Sequence, residues 1–244
     1  VSWTFIELER SQKLQRPIDV DKLQALQQAW NLDIDNQAYL GDPSKGLFGL
    51  ANSDVTTFTN AGLTAPDWAV TQSTNALAGG WIAAFTSSPT TAAQTILNDL
   101  RDLDTKLWAN SGYTSPATRF LVPASVWSIL NMPLAIAGAP LAISIKEYFE
   151  KQASIAASMG KEVKLLPRKF LDTNATFPNG YGNSLSATRV VAYSPDYDHV
   201  RFQYTPLYHT PVALNGMRQS VTYYGGLGGV ELVRPSTVAY INGV

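Results

Sequence analysis

VDKLQALQQAWNLDIDNQAYLGDPSKGLFGL, residues 20–50, reads as one long helix followed by its own stop signal. Leu23, Leu26, Trp30, Ile34 and Ala38 recur at three or four residues, which gathers them into a single apolar stripe. Asp19 or Asp21 can cap the start, since a short side-chain oxygen accepts from the first unpaired backbone N–H groups. Gly41 suits the left-handed position just past a helix, and Pro43 cannot continue one. The spacing predicts a helix over 20–40, about 30 Å long at 1.5 Å per residue.

Towards the N-terminus, Trp3-Thr4-Phe5-Ile6-Glu7-Leu8-Glu9 alternates, with Trp3 and Phe5 on one side and Thr4, Ile6 and Leu8 on the other. This predicts an extended strand, partly covered on both faces and ended by Pro17. Trp3, Phe5, Ile6 and Leu8 carry more apolar area than a lone subunit can cover from one strand, which makes them intersubunit candidates. Residues 44–89 are rich in Gly, Thr, Ser, Asn and Pro and predict loops and short strands, with Trp68 and Trp81 needing burial. A second long helix begins at Ser88-Pro89, where Pro fits the first turn. Its stripe is Ala93, Ile96, Leu97, Leu100, Leu103 and Leu107, opposite Asp99, Arg101, Asp102 and Lys106, with Gly112 just beyond its end.

Phe120-Leu121-Val122-Pro123 predicts a short buried strand leading into a short helix over 124–130. Ser144 and Glu147 have the spacing of a capping box, and Ile145, Tyr148, Phe149, Gln152, Ile155 and Ala156 give the inner face of a third helix closed by Gly160. Beyond it the period falls from 3.6 to 2. Residues 163–166, 189–193, 200–204, 219–223, 229–233 and 237–241 read as strands. Helices early and strands late define an α+β class. At Arg234-Pro235 two strands should meet with a bend, because Pro cannot donate to a ladder. Val230, Leu232 and Arg234 share a face there, so the guanidinium is expected to be partly covered and paired with Asp33, Asp35 or a neighbour's carboxylate. Arg234 therefore joins the intersubunit candidates.

Composition narrows the function. The 244 residues are 45% hydrophobic and only 15% charged, and eighteen Lys and Arg nearly balance nineteen Asp and Glu. That balance excludes a basic nucleic-acid binder and a polybasic membrane-surface protein. With no cysteine, disulfides, thiolate metal sites and thiol nucleophiles are excluded. Few charges beside six Trp, eleven Tyr and nine Phe point to surfaces that bury themselves against other copies of the chain. The longest apolar stretch, 132–143, is too short to cross a bilayer and is interrupted by Pro133, Gly138 and Pro140. The sequence opens at Val1-Ser2-Trp3 inside an alternating pattern, so further residues are expected upstream.

No catalytic, cofactor or metal site emerges. His199 and His209 belong to no H-E-x-x-H or G-x-S-x-G pattern. Gly41-Asp42-Pro43-Ser44-Lys45-Gly46 resembles a phosphate loop in the wrong order and at a helix C-terminus, where the dipole repels anions. Gly225-Gly226-Leu227-Gly228-Gly229 lies between strands with no helix after it, and predicts a flexible hairpin turn rather than a dinucleotide fingerprint. Asp99 and Asp102, three apart, are the one plausible hydrolase pair, but they sit on the polar side of their helix and predict a solvated or intersubunit face.

The order of these elements carries a resemblance. The long helix ends at Tyr39-Leu40-Gly41-Asp42 and continues Pro43-Ser44-Lys45-Gly46-Leu47-Phe48-Gly49-Leu50, which resembles the end of the spine helix of tailed-phage major capsid proteins with its Gly-Asp turn and Gly-Leu segment. The second helix followed by Ala117-Thr118-Arg119-Phe120-Leu121-Val122-Pro123-Ala124-Ser125-Val126-Trp127 is similar to the family's helix, strand and Pro-x-x-Trp sequence. The closing 229–240, with Arg234-Pro235, is similar to its C-terminal strand pair. The resemblance implies the Hong Kong 97-type capsid fold, shared with encapsulin nanocompartments, and a layout: the returning strand of an extended loop over 1–16, a peripheral domain over 17–112 and 216–244 around a spine helix at 20–40, and an axial domain over 113–215. The N-terminal part of the extended loop would precede Val1, and no lysine matches the family's occasional cross-link, Lys13 being merely the nearest. The implied function is a major capsid protein that assembles into pentamers and hexamers of an icosahedral shell around double-stranded DNA, without sequence-specific binding and with no enzymatic activity. Implied partners are further copies, a scaffold, portal and decoration proteins, with no membrane, and the implied location is the virion, with the host cytoplasm during assembly. The alternatives are an encapsulin shell and, in another class, a glycan-binding adhesion module.

Overall fold

A computed structural model describes residues 1–14, 18–42, 45–51, 70–72, 80–136, 139–172 and 188–244. Along the chain come β1 (Ser2–Thr4), α1 (Phe5–Leu14), α2 (Ile18–Tyr39), the two-residue strands β2 (Gly41–Asp42) and β3 (Leu47–Phe48), β4 (Val70–Gln72), α3 (Gly80–Ser87) and α4 (Pro89–Asn110). There follow β5 (Arg119–Pro123), α5 (Trp127–Leu130), β6 (Pro133–Ile136), β7 (Ala139–Ser144), the one-turn helices α6 (Ile145–Tyr148) and α7 (Ile155–Ser158), and β8 (Lys164–Arg168). The remainder is mostly strand: β9 (Arg189–Tyr193), β10 (Val200–His209), β11 (Ala213–Asn215), β12 (Arg218–Ser220), β13 (Tyr223–Leu232) and β14 (Val238–Asn242).

Five strands form a mixed sheet in the order β4-β14-β9-β5-β8. Their alternation places Phe120, Val122, Val190, Ala192, Ala239 and Ile241 on one face, where α4 packs. Leu121, Val191, Val238 and Tyr240 face the other way, against Leu40, Leu50, Phe170 and Leu171. The α4 stripe is 0–4% exposed along its whole length, so this helix and sheet form a core buried on both sides.

The second unit is thinner. Among the described residues β10 and β13 pair only with each other, as a two-stranded antiparallel ribbon. α2 runs unbroken beside it, with Trp30 so close to Gly225 that a Cβ there would come within 2.6 Å of the indole. The Gly225–Gly229 run is therefore not a hairpin turn but the middle of β13. Helix and partner strand approach it too closely for side chains: a Cβ on Gly228 would meet the Gln203 carbonyl oxygen at 2.9 Å. The stripe of Leu23, Leu26, Trp30 and Ile34 is only half-buried, because it rests on the ribbon and not on the five-stranded sheet.

Residues 47–51 tie the two units together. After Gly41 (φ +72°) the chain folds back, and Leu50 and Ala51 N–H groups donate to Ala38 and Tyr39 carbonyls at 2.8 Å, satisfying the open end of α2. The Tyr240 hydroxyl donates to the Leu50 carbonyl at 3.1 Å, and the buried Arg189 guanidinium donates to the Ala51 carbonyl and to Asn242 Oδ1.

Several expectations are corrected. Of the expected returning strand over 1–16, residues 2–4 are strand and Phe5–Leu14 is helix, while 15 and 16 lie outside the described residues. Thr4 and Glu7 close a reciprocal capping box, Thr4 N–H donating to Glu7 Oε2 at 2.9 Å and Glu7 N–H to Thr4 Oγ1 at 3.2 Å. Local capping thus overrides the alternation. The third helix breaks at Ser154, whose hydroxyl caps α7 by accepting from Ala157 N–H. Part of 44–89 is the helix α3, with Trp81 fully buried, while Trp68 lies outside the described residues. The division at 112/113 would part α4 from the strands that fill its core, and the one at 215/216 falls inside the β11–β12 hairpin.

Candidate functional site: the assembly surfaces

The catalytic candidates resolve into structural roles. Asp99 is buried, not solvated, and accepts from the Trp81 indole N–H at 2.7 Å, while Asp102 is exposed, so the two form no acid–base pair. Asp104, also buried, accepts from the Ile155 N–H at 2.7 Å and fixes the start of α7 on α4. Burial raises its pKa from 3.8 to about 6, against the opposing effect of that hydrogen bond. His199 is buried, with Nε2 at 3.5 Å from Ser115 Oγ and Nδ1 at 3.4 Å from Asp196 Oδ2. Both spacings exceed the about 2.6–3.2 Å of a nucleophile–base relay. Its backbone carbonyl instead receives the N–H groups of Val233 and Arg234 at the closing bend. Among the described residues no group of three or more His, Asp or Glu could hold a metal ion, and no helix is long and apolar enough to cross a membrane.

The intersubunit candidates fall at two places. Trp3 is half-buried on β1, which pairs with β12, and its indole N–H is buried without a hydrogen-bond partner. Phe5 and Ile6 are exposed on the first turn of α1, and Leu8 is half-buried. The backbone hydrogen bond at Thr4 and the Lys22 ammonium hold Glu7 below the usual carboxylate range. Arg234 is exposed within the subunit, not half covered; the bend Pro235–Thr237 takes the chain off the alternating face before its side chain can be enclosed. The 3.0 Å contact from Thr237 N–H to the Arg234 carbonyl closes that bend.

Sequence reasoning missed a third place, the ribbon tip. Val212, Leu214 and Met217 are all strongly exposed there. Asn215-Gly216-Met217-Arg218 has the form of a two-residue turn with glycine first, but its polar flanks give no sign of the apolar side chains exposed there.

Comparison with known proteins gives this geometry a class. The fold matches the capsid of Myoviridae phage XM1 at a TM-score of 0.67 and 18% identity, over 100% of this chain and 71% of that one. It matches the holo-SrpI encapsulin complex of Synechococcus elongatus at 0.55 and 12% identity, again over 100% of this chain and 71% of that one. The architecture is the Hong Kong 97-type fold of shell subunits, built here on α2, the ribbon and the five-stranded sheet. The family model described as "Major capsid protein" matches residues 1–244, and the chain belongs to that family of shell-forming structural proteins. No curated protein matches the sequence.

Proposed function

We propose that this chain assembles, through pentamers and hexamers of itself, into the icosahedral shell that encloses a phage's double-stranded DNA. The observation that carries the reading is the family match over all 244 residues. The near-zero net charge suits a container that lines a genome without gripping it. The work done is assembly and not catalysis. Trp3, Phe5, Ile6, Leu8 and Arg234 lie at contacts between subunits, the α2–ribbon unit forms the periphery, and the α4 core with its sheet faces the symmetry axes. Scaffold, portal and decoration proteins are the further partners, assembly takes place in the host cytoplasm, and the virion is the final location.

Electron microscopy of the full-length product tests this: closed icosahedral particles containing DNA are expected from infected cells. The fold likeness to the encapsulin favours one second reading, a shell around a cargo protein. Particles filled with protein and free of nucleic acid would select it, and a persistent monomer would contradict both.

A further inference from the structure

The ribbon ends in a tip that exposes apolar side chains beside the polar Asn215 and Arg218. Asn215 pairs with Arg218, so β11 and β12 are joined by only Gly216 (φ +59°) and Met217. Hairpin tips ordinarily carry polar residues. Here Met217 is 77% exposed, Leu214 69% and Val212 59%. Phe5 stands beside them, its N–H donating to the Met217 carbonyl at 3.1 Å. Such a cluster on a folded subunit marks a contact surface.

The same unit carries a cleft of about 590 Å³ between α2 and the ribbon. Leu23, Trp30 and Ile34 line its helix side and Leu207 the ribbon side, while Gln27 and Asn31 contribute amides. The amides can pair with the backbone groups of an inserted turn, and the apolar wall accepts its side chains. Methionine, unbranched and polarizable, adapts to such an irregular pocket.

A subunit cannot fill its own cleft with its own tip. The β10–β13 pairing runs on through Tyr208↔Tyr224 and His209↔Tyr223, and Thr210 N–H donates to the Thr222 carbonyl at 2.9 Å beyond it. β1 holds β12 from the side. The tip is thus a braced extension of the cleft's own floor, and it can meet such a cleft only on another copy.

Resting on the shell-forming reading above, we propose that the Leu214–Met217 tip of one subunit docks into the α2–ribbon cleft of a second copy. Two surfaces that are open among the described residues are thereby closed by one contact, repeated through the assembly.

The absence of cysteine among these 244 residues allows a direct test. Met217→Cys and Gln27→Cys, both at exposed positions, are prepared as separate proteins, co-assembled, and treated with a short bismaleimide. Covalent dimers are expected from mixed shells and from neither variant assembled alone. Shells that form normally yet give no dimer, or Met217→Cys shells that cross-link only among themselves, overturn the docking while leaving the shell-forming reading in place. If the unsubstituted chain forms no shells, that reading falls and the docking falls with it. Leu214→Asp together with Met217→Asp is expected to leave subunit melting unchanged and to cut particle yield at least tenfold. Wild-type yield from that variant would equally overturn the docking.

Discussion

α2 and α4 are both 22 residues long, and both carry apolar side chains at three- and four-residue spacing. α4 buries its stripe completely between a sheet and the helices around it. α2 leaves the same kind of stripe half open on two strands. The patterns are not equal: α2 scatters apolar side chains, exposed Val20 and Leu32 among them, off its stripe, whereas α4 keeps them on one face, and a two-stranded ribbon covers only part of α2. The α4 unit is finished within one subunit. On the docking proposed above, the α2–ribbon unit, with its cleft and its exposed tip, is finished by neighbours.

Matched truncations give the largest expected contrast. Leu100→Ala should cost about 2–5 kcal/mol of subunit stability, because a fully enclosed leucine leaves a cavity. Leu23→Ala, at a half-buried position, should cost under about 1.5 kcal/mol in the subunit while lowering shell yield. Urea unfolding of the free subunits and particle counts measure the two halves. Equal losses at both positions would break the contrast.

Asp104 sharpens it through pH. Its carboxyl is raised to about 6 by burial, so the native state favours the protonated form. Its stabilising contribution is full below about pH 4 and is lost as pH rises through 6. Asp104→Asn, still able to accept from Ile155 N–H, should gain on the order of 2 kcal/mol over wild type between pH 4 and 7. Parallel pH profiles of the two proteins would contradict this.

In the thinner unit, Gly225→Ala should push Trp30 off the ribbon and cost roughly 1–2 kcal/mol. Adding Trp30→Leu should recover part of that loss in thermal melts, which a purely backbone effect would not allow. The smallest effect on the subunit is expected at Arg234. Arg234→Ala should change its stability by less than about 0.5 kcal/mol, since the side chain is exposed. Particle yield should fall nonetheless, and Arg234→Lys should restore only part of it, lacking the planar fork.

The contrast also explains what was legible in the sequence. The α4 stripe and β9 could be read directly, the helix from its period of 3.6 and the strand, covered on both faces, as a continuous apolar run. The extent of α2 was readable from its stop signal at Gly41 and Pro43, but not its degree of cover, which depends on a ribbon some 170 residues later. At the N-terminus, alternation around Trp3 and Phe5 masked a capping box at Thr4 and Glu7 that was present in the same seven residues. Asp99 read as solvated because its partner, Trp81, comes from another element. The glycines of β13 read as a turn because the close approach of Trp30 that requires them is a tertiary fact. Of the assembly surface, the apolar excess near Trp3, Phe5, Ile6 and Leu8 was visible. The tip at Met217 was not, since an exposed methionine in a strand-rich region has no pattern of its own.

Hydrogen exchange compared between free subunits and assembled shells tests the central claim most directly. The account predicts that protection gained on assembly concentrates in residues 1–14, α2 and the ribbon with its tip, while the α4 core exchanges equally slowly in both states. Gain concentrated in α4 and its sheet, with α2 and the ribbon unchanged, would contradict it.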